Sequence, residues 1–406
     1  MTLTAQIFLK STVGIKNKGA NIKTLLNFLA QETGADKSYG SNKFCFENIE
    51  VPKIEYEDSH QKNWNVKESG ETLSLNSSKL LIKKVNELKK FNTKPLFKYF
   101  LDGSRRTYKV DDVAYGNNIY PIVAGQIGVG CCKRENPDNF TKALINMYNV
   151  IVMPNYANAS GQKEKLYFNN LLSKINNLEK LQKLNINFDE ILTYSKKDKD
   201  DLEDLAVAKI QDKMVELEKI IVANLVKEKL LNEDSYLIKD GSLEYKVMKT
   251  GNYKELAKIK NNYRHVVGVS KRFNPNLVIN KRGKSNASLL ADLPLYHRTP
   301  AIKYKTDMAG EVYFAIWYVR IRDKKYTNSP FEGILKLEKI LVTDNEIKNG
   351  LESEEVDNIS ANIINERNPV CYGSDNRWAN HLYPVYLTEK YIKSQYLSDI
   401  FFLNLF

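Results

Sequence analysis

Apolar residues occur in two spacings along this chain, and the way the two alternate predicts a mixed α/β fold. Short runs dense in aliphatic and aromatic residues are typical of buried strands, and they occupy residues 97–101, 108–115, 120–132, 147–154, 235–239, 265–272, 313–321 and 334–342. Apolar positions three to four residues apart are typical of helices, and they mark residues 162–183, 198–231, 253–261, 345–362 and 391–397. Because strands come first and then alternate with helices, the pattern indicates a mixed sheet flanked by helices.

The first part of the chain differs in composition from the rest. Residues 1–92 are polar and rich in Lys and Asn, and we predict that they form an N-terminal accessory lobe. Within them lie two stretches with helical spacing and one turn-rich stretch, at residues 22–29, 80–88 and 51–76. Residues 93–406 are predicted as the main domain. The helical residues at about 161–231 form an insertion within it, either a hairpin that extends sideways or a layer packed on the sheet.

A glycine-rich run lies inside one of the predicted strands. Gly125, Gly128 and Gly130 have the outline of a phosphate-binding loop, but the Gly-Lys-Ser/Thr ending is missing and the following residues are a poor helix start. We therefore interpret these residues as strand glycines that let another backbone approach closely.

The excess of basic residues indicates what kind of molecule this protein binds. The 406 residues contain 61 Lys and Arg against 49 Asp and Glu, which gives a net charge of +12 and a pI near 9.1. An excess of that size favours a polyanionic partner, either nucleic acid or an anionic membrane surface.

Hydropathy and cysteine usage indicate a cytoplasmic protein. Mean hydropathy is -0.46, no apolar run approaches the roughly 20 residues that span a bilayer, and the N-terminus lacks the pattern of a signal peptide. The four cysteines have no zinc-ligand spacing and suit a reducing compartment. We expect no membrane association and no structural zinc.

The candidate chemistry begins with an Asp-Gly-Ser motif that occurs twice. Each copy follows an apolar run, with Asp102 at the end of the first run and Asp240 at the end of the second. We predict that each strand ends at its aspartate, that Gly-Ser forms the turn, and that the two carboxylates meet at one end of the sheet. Paired carboxylates suit a divalent cation, which takes oxygen ligands. The alternative is two ordinary turns, because Asp-Gly-Ser is common turn chemistry.

Two carboxylates do not complete a metal site, so further ligands are needed. The helix at 198–231 carries Glu218 at the edge of its apolar stripe, with Glu216 as the rival candidate. His381 stands before a Tyr-Pro break near the C-terminus, and a neutral imidazole can bind a metal or transfer a proton. A solvated glutamate and an ordinary structural histidine are the alternatives.

Four cations follow the candidate strand ends. Arg105 and Arg106 come directly after the first Asp-Gly-Ser motif, and Lys271 and Arg272 end the predicted strand at 265–272. Cations in such positions could hold a phosphate backbone without reading its sequence. The alternative is that they serve only the solubility of the surface.

Taken in order, four of these stretches resemble motifs of the NurA nucleases, which partner HerA-type hexameric ATPases in DNA end processing. The similar stretches are residues 101–106, 237–243, 267–271 and 381–385. The sequence departs from the family pattern at Lys239, where an apolar residue is usual, and at Leu382, where proline is frequent. Each motif is short, and the ordered set carries the resemblance.

The resemblance implies an RNase H-like fold and a deoxyribonuclease that uses two Mn²⁺ or Mg²⁺ ions. Asp102, Asp240 and a glutamate on the preceding helix, Glu218, would bind the ions, and His381 would be a late ligand or a proton carrier. It also implies a homodimer docked on a HerA-type hexameric ATPase, in DNA repair or antiviral defence. Two other functions stay open: a non-catalytic nucleic-acid-binding subunit that has lost a ligand, and a metal-dependent phosphatase acting on small molecules.

Overall fold

One mixed β-sheet organises the protein. The computed structural model describes residues 25–38, 43–46, 65–73, 75, 77–90, 94–158, 163–195, 201–243, 253–277, 287–305, 312–327, 329–366 and 379–406. Residues 22–24 of the first predicted helix and 51–64 of the turn-rich stretch lie outside these residues.

The strands of this sheet include three long ones that follow one another directly. In chain order the strands are β1 (Lys37–Ser38), β2 (Phe44–Cys45), β3 (Asn65–Ser69), β4 (Lys79–Leu80), β5 (Phe97–Tyr115), β6 (Asn118–Asn136), β7 (Asn139–Pro154), β8 (Glu190–Tyr194), β9 (Tyr236–Asp240), β10 (Val266–Ser270), β11 (His297–Arg298), β12 (Ile302–Lys305), β13 (Tyr313–Arg320) and β14 (Ile334–Leu341).

Helices pack on both faces of the sheet and around its ends. They are α1 (Leu25–Glu32), α2 (Ile82–Lys90), α3 (Glu164–Asn176), α4 (Glu179–Leu184), α5 (Leu202–Lys227), α6 (Tyr253–Asn262), α7 (Ala287–Ala291), α8 (Asp344–Asn349), α9 (Ser353–Asn365), α10 (Tyr383–Ser394) and α11 (Asp399–Leu403). Within the described ranges, none of these helices is both long enough and apolar enough to cross a membrane.

The strand order shows an RNase H-like core. The three long strands β5, β6 and β7 form an antiparallel meander, β9 pairs in parallel with β5, and β10 pairs in parallel with β9. The resulting order β7-β6-β5-β9-β10 lies in the middle of a larger sheet, which β8 extends on one side and β14, β13, β12 and β3 extend on the other. The predicted mixed sheet flanked by helices is confirmed.

The described parts of residues 1–92 add strands to this same sheet. Strands β1 and β2 pair with β5, β3 pairs with β12, and β4 pairs with β11. A buried charge network also ties this region down, because the Arg298 guanidinium donates two hydrogen bonds to Glu71, of 2.9 and 2.8 Å, and one of 2.7 Å to Asp357 on α9. Both Glu71 and Arg298 have fully buried side chains.

The two large helices that flank the central strands lie on opposite faces. Glycines of β6 allow their close approach: a Cβ at Gly125 would lie 2.8 Å from Ile210 of α5, and one at Gly130 would lie 2.9 Å from Ile392 of α10. The sequence predicted that another backbone would approach these glycines. That prediction is wrong, because the atoms that approach them are side chains of α5 and α10.

The predicted turn after Asp102 is also wrong. Strand β5 continues without a break through Gly103 and Ser104 as far as Tyr115. A Cβ at Gly103 would lie 2.6 Å from Glu218 Oε1, so the glycine lets this carboxylate lie directly against the strand. In the second motif the prediction is confirmed: β9 ends at Asp240, and Gly241 has φ +80°, a backbone conformation that favours glycine.

The observed boundaries of two helical regions differ from the predicted ones. The predicted helix at 162–183 is two helices, because Leu178 adopts an extended conformation between α3 and α4. Helix α3 contacts β8, and β8 pairs in parallel with β7 at the edge of the sheet. The segment therefore packs on the sheet as a layer. The C-terminal helix, to which the prediction assigned residues 391–397, is α10 from Tyr383 to Ser394, with Pro384 in the first turn, where proline is well tolerated.

Candidate active site

The two motif aspartates lie side by side. The last pair in the register of β5 and β9 is Leu101 with Lys239, so Asp102 and Asp240 occupy the next position on neighbouring parallel strands. Burial raises the pKa of the Asp102 carboxyl well above its usual range, and the charge of Asp240 raises it further. The two carboxylates share a pocket of about 250 Å³, which is lined by Asp102, Gly103, Ser104, Arg105, Gln211, Met214, Asp240, Lys271, Glu389 and Lys393.

A mismatch in strand length creates this pocket. Strand β9 ends at Asp240, whereas β5 runs on to Tyr115. Within the described part of the chain, no strand pairs with residues 102–107 on the side away from β6. Helix α5 contributes Gln211 and Met214 to one wall of this open edge, and α10 contributes Glu389 and Lys393 to the other. The fold therefore places two aspartates at the floor of a slot between two helices.

Glu389 is a third carboxylate of the pocket, and the sequence analysis missed it. Burial alone would raise its pKa, but the hydrogen bond with His381 and the positive charges of Lys271 and Lys393 together hold the pKa far below its usual range. The charge of Glu389 also raises the pKa of Asp102. In sequence, Glu389 and Lys393 look like an ordinary i,i+4 pair on a helix surface, and this is why the signal was overlooked.

Lys271 and His381 link the carboxylates. The Lys271 ammonium lies 2.7 Å from Asp240 Oδ2 and 3.3 Å from His381 Nε2, which lies 3.1 Å from Glu389 Oε2. Nε2 accepts from Lys271 when it carries no proton, and donates to Glu389 when it does. The structure thus connects His381 to Asp240 through the Lys271 ammonium. Lys271 was predicted on the phosphate-binding surface, and it lies among the acids with 5% of its side chain exposed.

Glu218 is close to the pair but on the other face of the sheet. Its side chain is buried against Gly103, and its Oε2 lies 3.2 Å from the Lys239 ammonium. Burial raises the pKa of Glu218, and the charge of Lys239 offsets this only in part. Lys239, the departure from the motif pattern, is therefore the ion-pair partner of Glu218. The rival Glu216 has 59% of its side chain exposed and pairs with Lys213 at 3.1 Å.

Arg105 and Arg106 are successive residues of β5, so their side chains point to opposite faces of the sheet. Arg105 lines the pocket, and its Nε donates a 2.8 Å hydrogen bond to Gln211 on α5. Arg106 points to the opposite face and forms a 2.7 Å ion pair with Asp399. Arg272 is exposed. Of the four predicted phosphate contacts, Arg105 and Lys271 line the pocket together with Asp102, and Lys393 joins them from the other wall.

The turn after Asp240 is held by a side chain of β14, the strand on the far side of β10. Glu338 on β14 accepts hydrogen bonds of 2.8 Å from Ser242 Oγ and from the backbone N–H of Leu243. The Lys336 ammonium lies 2.8 Å from Glu338, and both side chains are fully buried. This arrangement fixes the backbone directly behind the Asp240 carboxylate.

The donor set of the pocket fits a hard cation, although the side chains are not assembled around one. Among the described residues, no group of three or more His, Cys, Asp or Glu side chains is placed to hold a metal ion. The carboxylates of Asp102, Asp240 and Glu389 would provide oxygen ligands. In this structure the Lys271 ammonium places a positive charge 2.7 Å from Asp240 Oδ2.

Asp102→Asn is expected to raise the thermal stability of the metal-free protein at neutral and alkaline pH. A carboxyl with a raised pKa in the fold binds its proton more tightly there than in the unfolded chain, so its contribution is favourable at low pH and is lost as pH rises through the folded pKa. The gap in melting temperature between variant and wild type should close on acidification. A gap that widens on acidification would contradict this assignment.

The fold has a distant similarity to that of a protein of known structure. No known protein family and no curated protein matches the sequence. Among solved structures, the chain is similar to the NurA nuclease from Sulfolobus solfataricus, with a TM-score of 0.35 and 9% sequence identity, over 77% of this chain and 87% of that one. Membership of that family therefore stays a prediction from the four sequence motifs.

Proposed function

We propose that this protein is a metal-dependent nuclease that hydrolyses phosphodiester bonds. The observation that carries the proposal is the pair Asp102 and Asp240 on the floor of a slot whose walls present Arg105 and Lys393. Three acids in a small pocket suit a cation cofactor, and the flanking cations suit an anionic substrate. The pocket volume of about 250 Å³ can hold a phosphodiester group and its ions. It is far too small to enclose a folded macromolecule.

In this proposal, each side chain has a defined task. Asp102, Asp240 and Glu389 would hold Mn²⁺ or Mg²⁺, two ions when fully loaded. The bound ions would activate a water molecule and stabilise the charge on the departing oxygen. Arg105 and Lys393 would hold the nonbridging phosphate oxygens from opposite walls, and His381 Nε2 would accept or return a proton at the pocket's edge. Glu218 would position β5 from the other face through its contact with Gly103.

The substrate and partners follow from charge and from the motifs. A net charge of +12 favours a nucleic acid as the substrate, and the resemblance to NurA nucleases favours DNA. The same resemblance supports a homodimer that works with a HerA-type hexameric ATPase in DNA end processing or antiviral defence. These partners are part of the proposal.

Cleavage of DNA tests the proposal directly. Purified protein is incubated with linear and with circular DNA, in Mn²⁺, in Mg²⁺ or in EDTA, and the products are resolved on denaturing gels. We expect degradation that needs the metal. Loss of linear DNA alone would indicate action at ends, and loss of both would indicate internal cleavage.

A second function has one observation in its favour. Lys271 already places a positive charge beside Asp240, as expected of a subunit that binds nucleic acid without using a metal. DNA binding that is unchanged by Mn²⁺ and EDTA, with no cleavage in either, would support this non-catalytic function.

Arg105→Glu is expected to weaken DNA binding about equally for all sequences, and to lower the slope of log K against log salt by about 1, because it removes one phosphate contact. Fluorescence anisotropy with two unrelated duplexes at several salt concentrations measures both effects. Lys325→Glu makes the same charge change at an exposed side chain outside the slot and serves as the control. A loss confined to one of the duplexes would contradict the assignment of Arg105.

A further inference from the structure

Lys271 is a buried cation whose charge reaches every carboxylate of the pocket. Its ammonium lies 2.7 Å from Asp240 Oδ2, and its positive charge lowers the pKa of both Asp102 and Glu389. The position follows from the register. Asp240 pairs with Val269, and Lys271 lies two residues further along the same strand direction, so both side chains point to one face.

The backbone at Lys271 is fixed, whereas its side chain is long. Asn380 Nδ2 donates a 2.8 Å hydrogen bond to the Lys271 carbonyl, and the residue follows directly after β10. A lysine stem has four carbons with free rotation, so the ammonium can move while the backbone stays in place. Lys271 also lines the pocket, so a path out of the acid cluster leads into the slot.

We propose that the Lys271 ammonium is a displaceable counter-ion, which competes with the divalent cation for Asp102, Asp240 and Glu389. The inference rests on the metal dependence proposed above. In the absence of metal, Lys271 balances part of the negative charge of the three pocket carboxylates. A divalent cation held by these carboxylates repels an ammonium beside it, so metal binding drives the side chain out of the cluster.

Displacement gives Lys271 a second position and a second partner. The slot it enters is the one in which Arg105 and Lys393 would hold phosphate oxygens. A phosphodiester there offers the displaced ammonium a new anion. Because coupling between two ligands is reciprocal, the metal then binds more tightly in the presence of nucleic acid, and nucleic acid binds more tightly in the presence of metal.

The test is a calorimetric titration of the full chain with Mn²⁺, without nucleic acid. Four proteins are compared: wild type, Lys271→Met, Asp102→Asn, and Lys390→Met as the matched control. Lys390 lies exposed on α10, near Tyr386, so its replacement removes one positive charge outside the pocket. We expect Lys271→Met to bind Mn²⁺ at least about tenfold more tightly than wild type, whereas Lys390→Met binds as wild type does, since solvent screens an exposed charge far more than a buried one.

The outcomes separate the two proposals. Equal or weaker Mn²⁺ binding by Lys271→Met, with clear binding by wild type that Asp102→Asn abolishes, overturns the competition and leaves the metal site in place. Binding that Asp102→Asn does not affect, or binding by none of the four proteins, overturns the metal site itself. If Lys271→Met does not fold, Lys271→Gln is used, because its amide can still hydrogen-bond to Asp240 while carrying no charge.

A second measurement needs no variant at the lysine. The chain has 4 histidines, so a spectrum of isotope-labelled imidazole groups can resolve His381, whose Nε2 lies 3.3 Å from the Lys271 ammonium. Titration with diamagnetic Mg²⁺ should shift the His381 signal, assigned through His381→Gln, and leave His297 unshifted. A His381 signal that stays in place while calorimetry shows Mg²⁺ binding would overturn the displacement.

Discussion

Asp102→Asn and Asp240→Asn should each lower the rate of metal-dependent DNA cleavage by on the order of 10³-fold, the scale expected when a preorganised charge that stabilises the transition state is lost. Each variant removes a ligand of the proposed ions and leaves the shape of the side chain unchanged. DNA binding should be retained or become tighter, because a negative charge beside the phosphate is removed. Gel assays of cleavage and anisotropy measurements of binding, made on the same protein preparations, check both expectations.

Asp138→Asn is the matched control for these variants. Asp138 is exposed in the β6–β7 turn, and its replacement removes the same charge outside the acid cluster. It should cleave as the wild type does. Full activity in either Asp102→Asn or Asp240→Asn would remove the aspartate pair from the mechanism, and with it the main support for a nuclease.

Arg298→Met is expected to lower the free energy of unfolding by about 3–5 kcal/mol, the usual cost of removing one partner from a buried ion pair. The guanidinium holds Glu71 and Asp357 together, and without it the fully buried Glu71 loses its ion-pair partner, whereas Asp357 still has Lys79. Methionine retains the apolar stem, so the loss comes mainly from the unbalanced Glu71 carboxylate. Urea unfolding followed by circular dichroism measures the change in the midpoint.

Lys324→Met provides the comparison for an exposed ion pair. Lys324 and Asp292 lie 3.9 Å apart with 45% and 85% of their side chains exposed. Pairs of this kind contribute about 0–1 kcal/mol. An Arg298→Met protein no less stable than Lys324→Met would show that the buried network does not hold residue 71 to the sheet.

Much of the sheet could be predicted because its strands have dense apolar runs. The patterns at 313–321 and 334–342 correspond closely to β13 and β14, which are buried along almost their whole length. The local signal failed at Gly103, where Asp-Gly-Ser chemistry suggests a turn. Pairing with β6 on one side and the close approach of α5 on the other keep the backbone extended there, and neither contact is visible in the local sequence.

The candidate site was predictable only in part, for a similar reason. Asp102 and Asp240 could be placed together because each follows an apolar run, and the two runs form neighbouring parallel strands. Glu389 and Lys393 could not, since a helical i,i+4 pair has the same sequence whether it faces solvent or a pocket. Lys271 was correctly placed near the strand end, but its direction depends on the parallel register of β9 and β10.

The long strand β5 determines which parts of the slot can change in sequence without disturbing the aspartates. The floor of the slot is formed by β5 and the end of β9, and β6 fixes the position of β5 along its length, while the walls come from two helices far apart in the sequence. In the proposed nuclease, exchanges at wall positions such as Gln211 would therefore alter which substrates are accepted without moving Asp102 and Asp240 beneath. Libraries randomised at wall positions of α5 and α10 other than Glu389 should yield altered preferences far more readily than libraries randomised on β5.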